Sequence, residues 1–408
     1  MKVAFIDDGI NPAIVPCGVV FKDFIADKDG VHTNASPLNE ISHGAICYQI
    51  FQSCVKHPYQ LISIKILDRE TGTGTKDALV AALNWCAAQN IDLINMSMGT
   101  RQYTDFKYIS QVINTLSNTI IVAAYSNQNT LTFPACLKSV VGVRHCSHEE
   151  LQGNFVYLEN PFDQVDILTY ANKMPSFLYE SPDEAHHDAT HAEPFSGSNS
   201  FAAPLITARI CDYMAQGHRG INTIKQQLYK DSLKNSSFLS YNFYKKMFYD
   251  WKETDVPIVA VQGNESLSLL KPLLMKFIDD DYRAVCFTID EETSVSDFIF
   301  KFKQCVTSEQ NGHRPFLLPT AEIAGQFPSI SKSTELLDLY YNFTLPDIIF
   351  LHYNTTGLTA LHENLQIDML LKPQGEDDLN KISLGENYVL NICEDVDALF
   401  KQITHLLT

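Results

Sequence analysis

The sequence lacks long apolar runs. Its longest, such as Ile120–Ala124 and Ile348–Leu351, have the length of a β-strand, whereas a helix that crosses a bilayer needs about 20 apolar residues. The opening residues, MKVAFIDDGIN, also lack the apolar core and the cleavage site of a secretory signal peptide. We therefore expect no membrane partner and a cytoplasmic location.

The sequence also lacks the cysteine spacings of disulfide frameworks and zinc sites. Its 10 cysteines are scattered along the chain and include no CxxC pair. Because a cytoplasmic protein keeps its thiols reduced, we expect small, mostly buried, unpaired cysteines.

Histidine and acidic residues cluster in one predicted loop, Ser181–Pro194. The cluster comprises His186, His187, Asp188, His191 and Glu193. A metal site is one interpretation. Because the residues lack fixed helical spacing, we favour a solvated loop at the rim of a functional site. No spaced carboxylates of a calcium loop stand out in the first half of the chain. We therefore expect neither a metal nor another cofactor.

Positive charge is scarce in this chain. It has 30 Lys and Arg against 48 Asp and Glu, a net charge of −18, which disfavours nucleic acid as a partner. Residues 1–254 carry 25 acidic and 20 basic residues (−5), whereas residues 255–408 carry 23 and 10 (−13). The shift supports a domain boundary near residue 250. The acidic second half is either a docking surface for a basic partner or a solvated face.

Apolar periodicity predicts an α/β fold in two domains. Residues 1–232 alternate buried strands with helices, which is typical of a parallel sheet flanked by helices. We place the first domain at residues 1–235, a linker at 236–254 and a smaller α/β domain at 255–408. The second domain includes a predicted helix over Val295–Val306.

The segment VAVQGNESLSLLKPLL, residues 259–274, has the strand, glycine turn and helix of a phosphate-binding loop. It lacks the second glycine and the Lys-Ser/Thr pair that such loops use to hold phosphate and magnesium. We favour an α/β scaffold without a nucleotide, and a nucleotide-dependent regulator is the alternative.

The run FSGSNSFAAP, residues 195–204, raises the possibility of a nucleophilic serine. Small residues of this kind are also common where a tight turn enters a buried helix. A nucleophile needs a helix start that aims its hydroxyl, small neighbours and a base elsewhere in the chain.

Two further polar residues lie at the ends of predicted elements. Asp7 follows the first predicted strand, at the edge where open α/β sheets place their ligands, and His43 opens a predicted helix. Taken singly, each is more often a cap or a structural residue. Their order with Ser200, however, is Asp, His, Ser, which is the order in subtilisin.

The first 230 or so residues resemble the subtilisin-like serine proteases. The matching blocks are KVAFIDDGIN, EISHGAICYQI, ALNWCAAQNIDLINMSMGT, VAAYSN with FPAC, SVVGV, and GSNSFAAPLITARI. The resemblance implies a subtilisin-like parallel sheet flanked by helices and a serine endopeptidase activity.

The resemblance also implies a role for each matching residue. Ser200 is the nucleophile, His43 is the general base and later the acid, and Asp7 orients the imidazole. Asp8 is the alternative carboxylate, although the family places the triad acid first in the pair. Asn127 matches the side-chain donor of the oxyanion hole, beside the backbone N–H of Ser200.

The sequence departs from the family pattern at several positions near these residues. Ser126 stands where a glycine normally precedes the oxyanion asparagine, with Tyr125 before it, and Ala45 replaces a threonine in the histidine block. Asn199 and Phe201 flank Ser200, where a small residue and a methionine are usual. No reacting group is lost, so we favour an active enzyme; a peptide-binding pseudoprotease is the alternative.

Subtilases bind peptide substrates as an added strand. The resemblance assigns one edge to Ser97, Met98 and Gly99, and the pocket wall to Ala124, Tyr125 and Ser126. The uncharged side chains there favour a neutral substrate side chain, whereas the Asp-Asp-Gly at residues 7–9 also occurs in the kexin branch, which cuts after basic residues.

The expected substrate is a peptide or precursor peptide. Because the chain begins at the first catalytic strand, we expect it to fold without the prodomain that this family often uses. With its acidic second domain, the chain also resembles proteases that mature ribosomally made peptides by removing a leader, and the resemblance implies an intracellular role of that type. The sequence does not indicate the oligomeric state.

Overall fold

The computed structural model describes residues 1–36, 38–68, 71–148, 151–158, 165–171, 197–233, 256–263, 266–289, 300–301, 341, 345–353, 367–372, 388–391 and 395–407. The chain divides into two compact units. The first contains Met1–Arg101 and Tyr108–Asn235, and the second contains Gln102–Lys107 and Ser236–Thr408. The linker predicted at 236–254 and the histidine cluster at 186–193 lie outside the described residues.

A nine-stranded sheet forms the centre of the first unit. Its order is β3-β2-β4-β1-β5-β6-β7-β9-β8, and its pairs are parallel except for β2 with β3 and β8 with β9. The strands are β1 (Lys2–Asp7), β2 (Val20–Asp27), β3 (Gly30–Thr33), β4 (Gln60–Lys65), β5 (Leu93–Met96), β6 (Ile120–Ala124), β7 (Val141–His145), β8 (Phe155–Tyr157) and β9 (Ile167–Thr169). The predicted parallel sheet flanked by helices is confirmed.

Five α-helices accompany the strands in the described part of this unit. They are α1 (His43–Cys54), α2 (Lys76–Ala88), α3 (Tyr103–Thr115), of which residues 103–107 are counted with the second unit, α4 (Asn199–Ala215) and α5 (Ile221–Asp231). A 3-10 turn covers Pro12–Ile14. Helix α4 packs against α1 and against β5, β6 and β7, so it covers neighbouring strands in the middle of the sheet.

Burial explains why these segments form a central layer. Strand β1 is apolar from Val3 to Ile6 and is almost fully buried, as expected for a central parallel strand covered on both faces. On α1, Tyr48 and Phe51 meet Phe5 of β1 edge-on, with ring centroids 5.9 and 5.4 Å away. These contacts fix α1 against β1 and so set the position of His43 relative to Asp7.

The second unit contains a six-stranded sheet of order β12-β11-β13-β10-β14-β15. Its strands are β10 (Ile258–Gln262), β11 (Ala284–Ile289), β12 (Phe300–Lys301), β13 (Ile348–Tyr353), β14 (Met369–Lys372) and β15 (Tyr388–Asn391). Two helices, α6 (Ser266–Asp279) and α7 (Val396–Leu407), pack on each other. The turn after β10 uses Gly263 at φ 97°, a conformation that favours glycine.

The helix predicted over Val295–Val306 is wrong at Phe300 and Lys301. These residues form the short strand β12, antiparallel to β11. The sequence there alternates Phe, Lys, Phe and Lys at 300–303, which is a period of two and favours a strand. Pairing with the edge of β11 also satisfies backbone groups that an isolated turn would leave to water.

The described cysteines are mostly buried. Cys17 and Cys54 are exposed, and the buried ones are Cys47, Cys86, Cys136, Cys146, Cys211 and Cys286, all with free thiols. None of the helices in the described part of the chain combines the length and apolar character that crossing a bilayer requires.

Candidate active site

One cleft collects every residue that the sequence assigned to catalysis or substrate binding. The cleft has a volume of about 390 Å³ and lies where several parallel strands end. The assigned residues that line it are Asp7, His43, Ser97, Met98, Gly99, Ala124, Tyr125, Ser126, Asn127 and Ser200. The chain supplies them from the end of β1, the segments that follow β5 and β6, and the starts of α1 and α4.

Asp7 and His43 form a hydrogen-bonded pair. Asp7 is the last residue of β1, its side chain is 2% exposed, and its Oδ1 lies 2.9 Å from His43 Nδ1. A carboxylate at this distance holds Nδ1 protonated, which leaves Nε2 as the basic nitrogen. His43 begins α1, whose N-cap Ser42 accepts a hydrogen bond from Ala45 N and donates one to Gly9 O at 2.6 Å.

Asp8 holds the backbone of α1 instead of the imidazole. Its Oδ2 accepts from the N–H of His43 at 3.0 Å, and its Oδ1 accepts from the N–H of Gly44 at 2.7 Å. A carboxylate on the first N–H groups of a helix satisfies donors that have no partner within the helix and matches the helix dipole. Asp7 therefore bonds to the imidazole, whereas Asp8 bonds to the backbone at the start of α1.

Gly44 lets α1 approach the Asp7 turn closely. A Cβ on Gly44 would lie 2.7 Å from Gly9 O and 3.0 Å from the Cβ of Asp7. The helix start and the strand end could not then keep their present distance, so the bond between Asp7 and His43 depends on this glycine.

We expect Gly44→Ala to lower both stability and activity. Relieving a contact of this kind costs about 1 to 3 kcal/mol and moves His43 away from Asp7, so Tm and kcat should both fall. Gly18→Ala is the matched control, because nothing lies within 4 Å of a Cβ at Gly18. Equal Tm and kcat for both variants would contradict the role given to Gly44.

Ser200 lies in the first turn of α4 and is 7% exposed. Four residues later, Pro204 interrupts the helical ladder because it has no N–H to donate to the carbonyl of Ser200. The Cys47 thiol of α1 donates to that carbonyl instead, at 3.6 Å. No sequence pattern indicates this role of Cys47, because the role requires α1 and α4 to be packed together.

The Ser200 hydroxyl bonds to Ser198 and not to the imidazole. The two serine Oγ atoms are 2.6 Å apart, and no bond joins His43 and Ser200 side chains among the hydrogen bonds of the described residues. Catalytic hydrogen bonds are often loose before substrate binds. Ser198, which the sequence analysis did not single out, is also the N-cap of α4.

Asn127 is tied to the start of α4 through its carbonyl oxygen. Its Oδ1 accepts from Asn199 N at 2.8 Å and from Ser198 Oγ at 3.1 Å. Asn199 also donates from its side chain to Ser126 O at 2.7 Å, while the Ser126 N–H donates to Thr132 Oγ1. Hydrogen bonds therefore hold the backbone of Ser126, which replaces a glycine, at both its N–H and its carbonyl oxygen.

The electrostatics of the site favour a protonated His43. Burial opposes the charge, but the Asp7 carboxylate, which bonds to Nδ1, outweighs it, so the pKa of His43 lies above its ordinary value of 6.5. Burial also raises the pKa of the Cys47 thiol, which keeps its proton available for the Ser200 carbonyl.

Within the described part of the chain, one group of side chains at and behind the cleft wall has the chemistry to ligate a metal ion. The candidate ligand atoms of Asp7, His43 and Cys47 lie within 4.8 Å of one another. Each already has a protein partner, however: Asp7 and His43 bond to each other, and Cys47 donates to Ser200 O. These contacts explain the arrangement without an ion.

Comparison with known proteins gives one family. The sequence model of the subtilase family matches residues 1–237. The minor extracellular protease Epr of Bacillus subtilis (strain 168) is 26% identical over 166 residues, which cover 38% of this chain and 25% of that protein. Subtilisin DY of Bacillus licheniformis is 33% identical over 96 residues, covering 20% and 32%.

The chain thus spans between a quarter and a third of the length of these curated relatives. Among solved structures, a cold adapted subtilisin-like serine proteinase aligns with a TM-score of 0.42 and 19% identity. The alignment covers 56% of this chain and 81% of that one.

Proposed function

Since the chain belongs to the subtilase family, we propose that it is a serine endopeptidase whose catalytic triad is Asp7, His43 and Ser200. The observation that carries the proposal is the 2.9 Å pair of Asp7 and His43 in the same cleft as Ser200 and Asn127. A strand-end aspartate and a helix-start histidine have structural uses separately, but together beside a helix-start serine they form a nucleophilic site.

The reaction follows from these positions. Ser200 Oγ attacks the carbonyl carbon of the substrate while its proton passes to His43 Nε2, and Asp7 stabilises the imidazolium. The oxyanion accepts hydrogen bonds from Asn127 Nδ2 and the Ser200 N–H. When the C–N bond breaks, His43 returns the proton to the leaving amine, and water then releases the acyl group by the same steps.

The raised pKa of His43 predicts the pH dependence of activity. Because the base must be neutral, kcat/KM should rise as pH increases through the pKa of His43, with a midpoint above 6.5. The stabilising effect of the same shift is full at low pH and is lost as pH rises through that pKa. Stability from this pair and activity should therefore change in opposite directions.

The pH profile is measured as kcat/KM from about pH 5 to about pH 10. In Asp7→Asn the rise of kcat/KM with pH should occur at lower pH, since the carboxylate that stabilises the imidazolium is gone. An unshifted rise in that variant would contradict the assignment of the titrating group to His43.

We propose a neutral side chain for the substrate residue before the cleaved bond. Ser126 and Thr132 line the cleft without charge, and Arg101 lies at the same cleft, where it donates to Gln128 Oε1. A cation there disfavours a basic substrate side chain by like-charge repulsion. Preferential cleavage after Lys or Arg in a peptide library would contradict this specificity.

We further propose that the natural substrate is a precursor peptide from which the protein removes a leader inside the cell. The net charge of −13 in residues 255–408 supports a basic leader as the docking segment. The test is cleavage of one core sequence behind a basic or an acidic leader. The full chain should prefer the basic leader, and about 0.5 M salt should remove the preference; equal cleavage at low salt would contradict it.

A further inference from the structure

We propose that Ser198 is a positioning residue for the oxyanion hole, acting through Asn127; this inference rests on the proposed function. The Ser198 hydroxyl donates to Asn127 Oδ1 at 3.1 Å, and the backbone N–H of Asn199 donates to the same oxygen at 2.8 Å. The two donors come from adjacent residues at the start of α4 and converge on one atom of the cleft.

The direction of these bonds decides which way the Asn127 amide faces. A carboxamide carries its acceptor oxygen and its two N–H donors on opposite sides of one carbon. With Oδ1 turned towards α4 and held there twice, Nδ2 is the atom left to face the cleft that Asn127 lines. That is the orientation in which the side chain can donate to an oxyanion.

The contact lies next to one departure from the family pattern, because Ser126 replaces the glycine before Asn127. Asn199, the residue after Ser198, donates from Nδ2 to Ser126 O at 2.7 Å. The start of α4 therefore holds both the side chain of Asn127 and the carbonyl of the residue before it.

The same hydroxyl orders the nucleophile at rest. Since the proton of Ser198 is directed to Asn127, the 2.6 Å contact between the two serines is a bond that Ser200 donates. One chain of hydrogen bonds therefore runs from Ser200 through Ser198 to Asn127. When substrate enters, Ser200 turns its hydroxyl proton to His43, its N–H exchanges the 3.3 Å bond to Ser198 for one to the oxyanion, and Ser198 remains on Asn127.

Ser198 also has a structural role, which could by itself explain an effect of replacing it. Ser198 is the N-cap of α4 and accepts from the N–H of Ser200 at 3.3 Å, a role that serine often has. Glycine is also acceptable at an N-cap but has no hydroxyl. Ser198→Gly therefore removes the bond to Asn127 with little effect on the helix, and Ser198→Thr keeps a hydroxyl.

The test is a double-mutant cycle in kcat and KM on a peptide substrate, with Ser198→Gly, Asn127→Ala and the two combined. We expect Ser198→Gly to lower kcat about tenfold, as for one lost hydrogen bond, with KM changed less than about twofold. In the Asn127→Ala background it should cause no further loss. Ser198→Thr should keep at least half of the wild-type kcat.

Three results would overturn the inference: the same tenfold loss in the Asn127→Ala background, equal losses for Ser198→Thr and Ser198→Gly, or a lowered Tm with unchanged kcat. The last would mean that Ser198 only caps the helix. These results require an active wild type, so they are distinct from failure of the proposed function, in which the wild type itself cleaves nothing and the inference falls with it.

Discussion

Replacing Ser200 with alanine is expected to lower kcat for peptide hydrolysis by about 10⁶-fold, the size known for loss of the nucleophile in subtilisin. The reason is that no other hydroxyl can take its place. Ser198 Oγ is the nearest hydroxyl, 2.6 Å away, but its proton is directed to Asn127 Oδ1. Substrate binding should persist, since the cleft walls are untouched.

The fold of this variant should be unchanged. The side chain of Ser200 makes its hydrogen bond only to Ser198 among the described residues, so Tm should stay close to that of the wild type. Ser53→Ala is a matched control, because Ser53 bonds to Ile50 O on α1 and lies outside the cleft. Residual activity within tenfold of the wild type would contradict the assignment of the nucleophile.

The second large effect is expected for Asp7→Asn. An asparagine presents an N–H to the imidazole, which favours the tautomer with the wrong nitrogen basic, and a change of this kind lowers kcat about 10⁴-fold in a related triad. The size of the effect depends on Asp7 being the residue that bonds to His43 Nδ1. The measurement is kcat at a pH where the wild type is fully active.

Asp8→Asn is the control for that experiment. It tests which of the two carboxylates is the triad acid, a choice that the sequence left open. Asp8 accepts from the N–H groups of His43 and Gly44, and an asparagine oxygen can accept only part of that pattern. We expect a stability loss of about 0.5 to 2 kcal/mol and less than a tenfold loss in kcat. Losses of equal size in the two variants would contradict this division of roles.

Much of the site could be predicted because its residues lie at the ends of regular elements. The buried strand before Asp7 and the helices after His43 and Ser200 are legible from apolar periodicity, and the carboxyl edge of a parallel sheet brings such ends together. The elements themselves follow closely: the strand-length run Ile120–Ala124 is β6, and His43 begins α1.

Contacts between distant side chains could not be predicted in this way. Ser198 and Asn127 are 71 residues apart, and their bond depends on the turn that enters α4 and on the segment after β6. The contact of Cys47 with Ser200 O likewise depends on α1 lying opposite the gap that Pro204 leaves in α4. Apolar periodicity predicts which face of a helix or strand is buried, but it does not predict which side-chain atoms come into contact.

The helix predicted over Val295–Val306, which is wrong at Phe300 and Lys301, has a different cause. Apolar residues there fit both a helical face and a strand face, and the alternation of Phe and Lys at 300–303 decides the matter only once β11 offers an edge to pair with. Tertiary pairing overrides a weak local preference in such segments.

The central claim is that Asp7, His43 and Ser200 form an assembled nucleophilic site. The most direct measurement is the intact mass of the full chain after incubation with a fluorophosphonate probe, beside Ser200→Ala. The account predicts that the wild type gains the mass of one probe and that the variant gains none, since the probe reacts with an activated serine. Absence of labelling in the wild type, or equal labelling of both proteins, would contradict it.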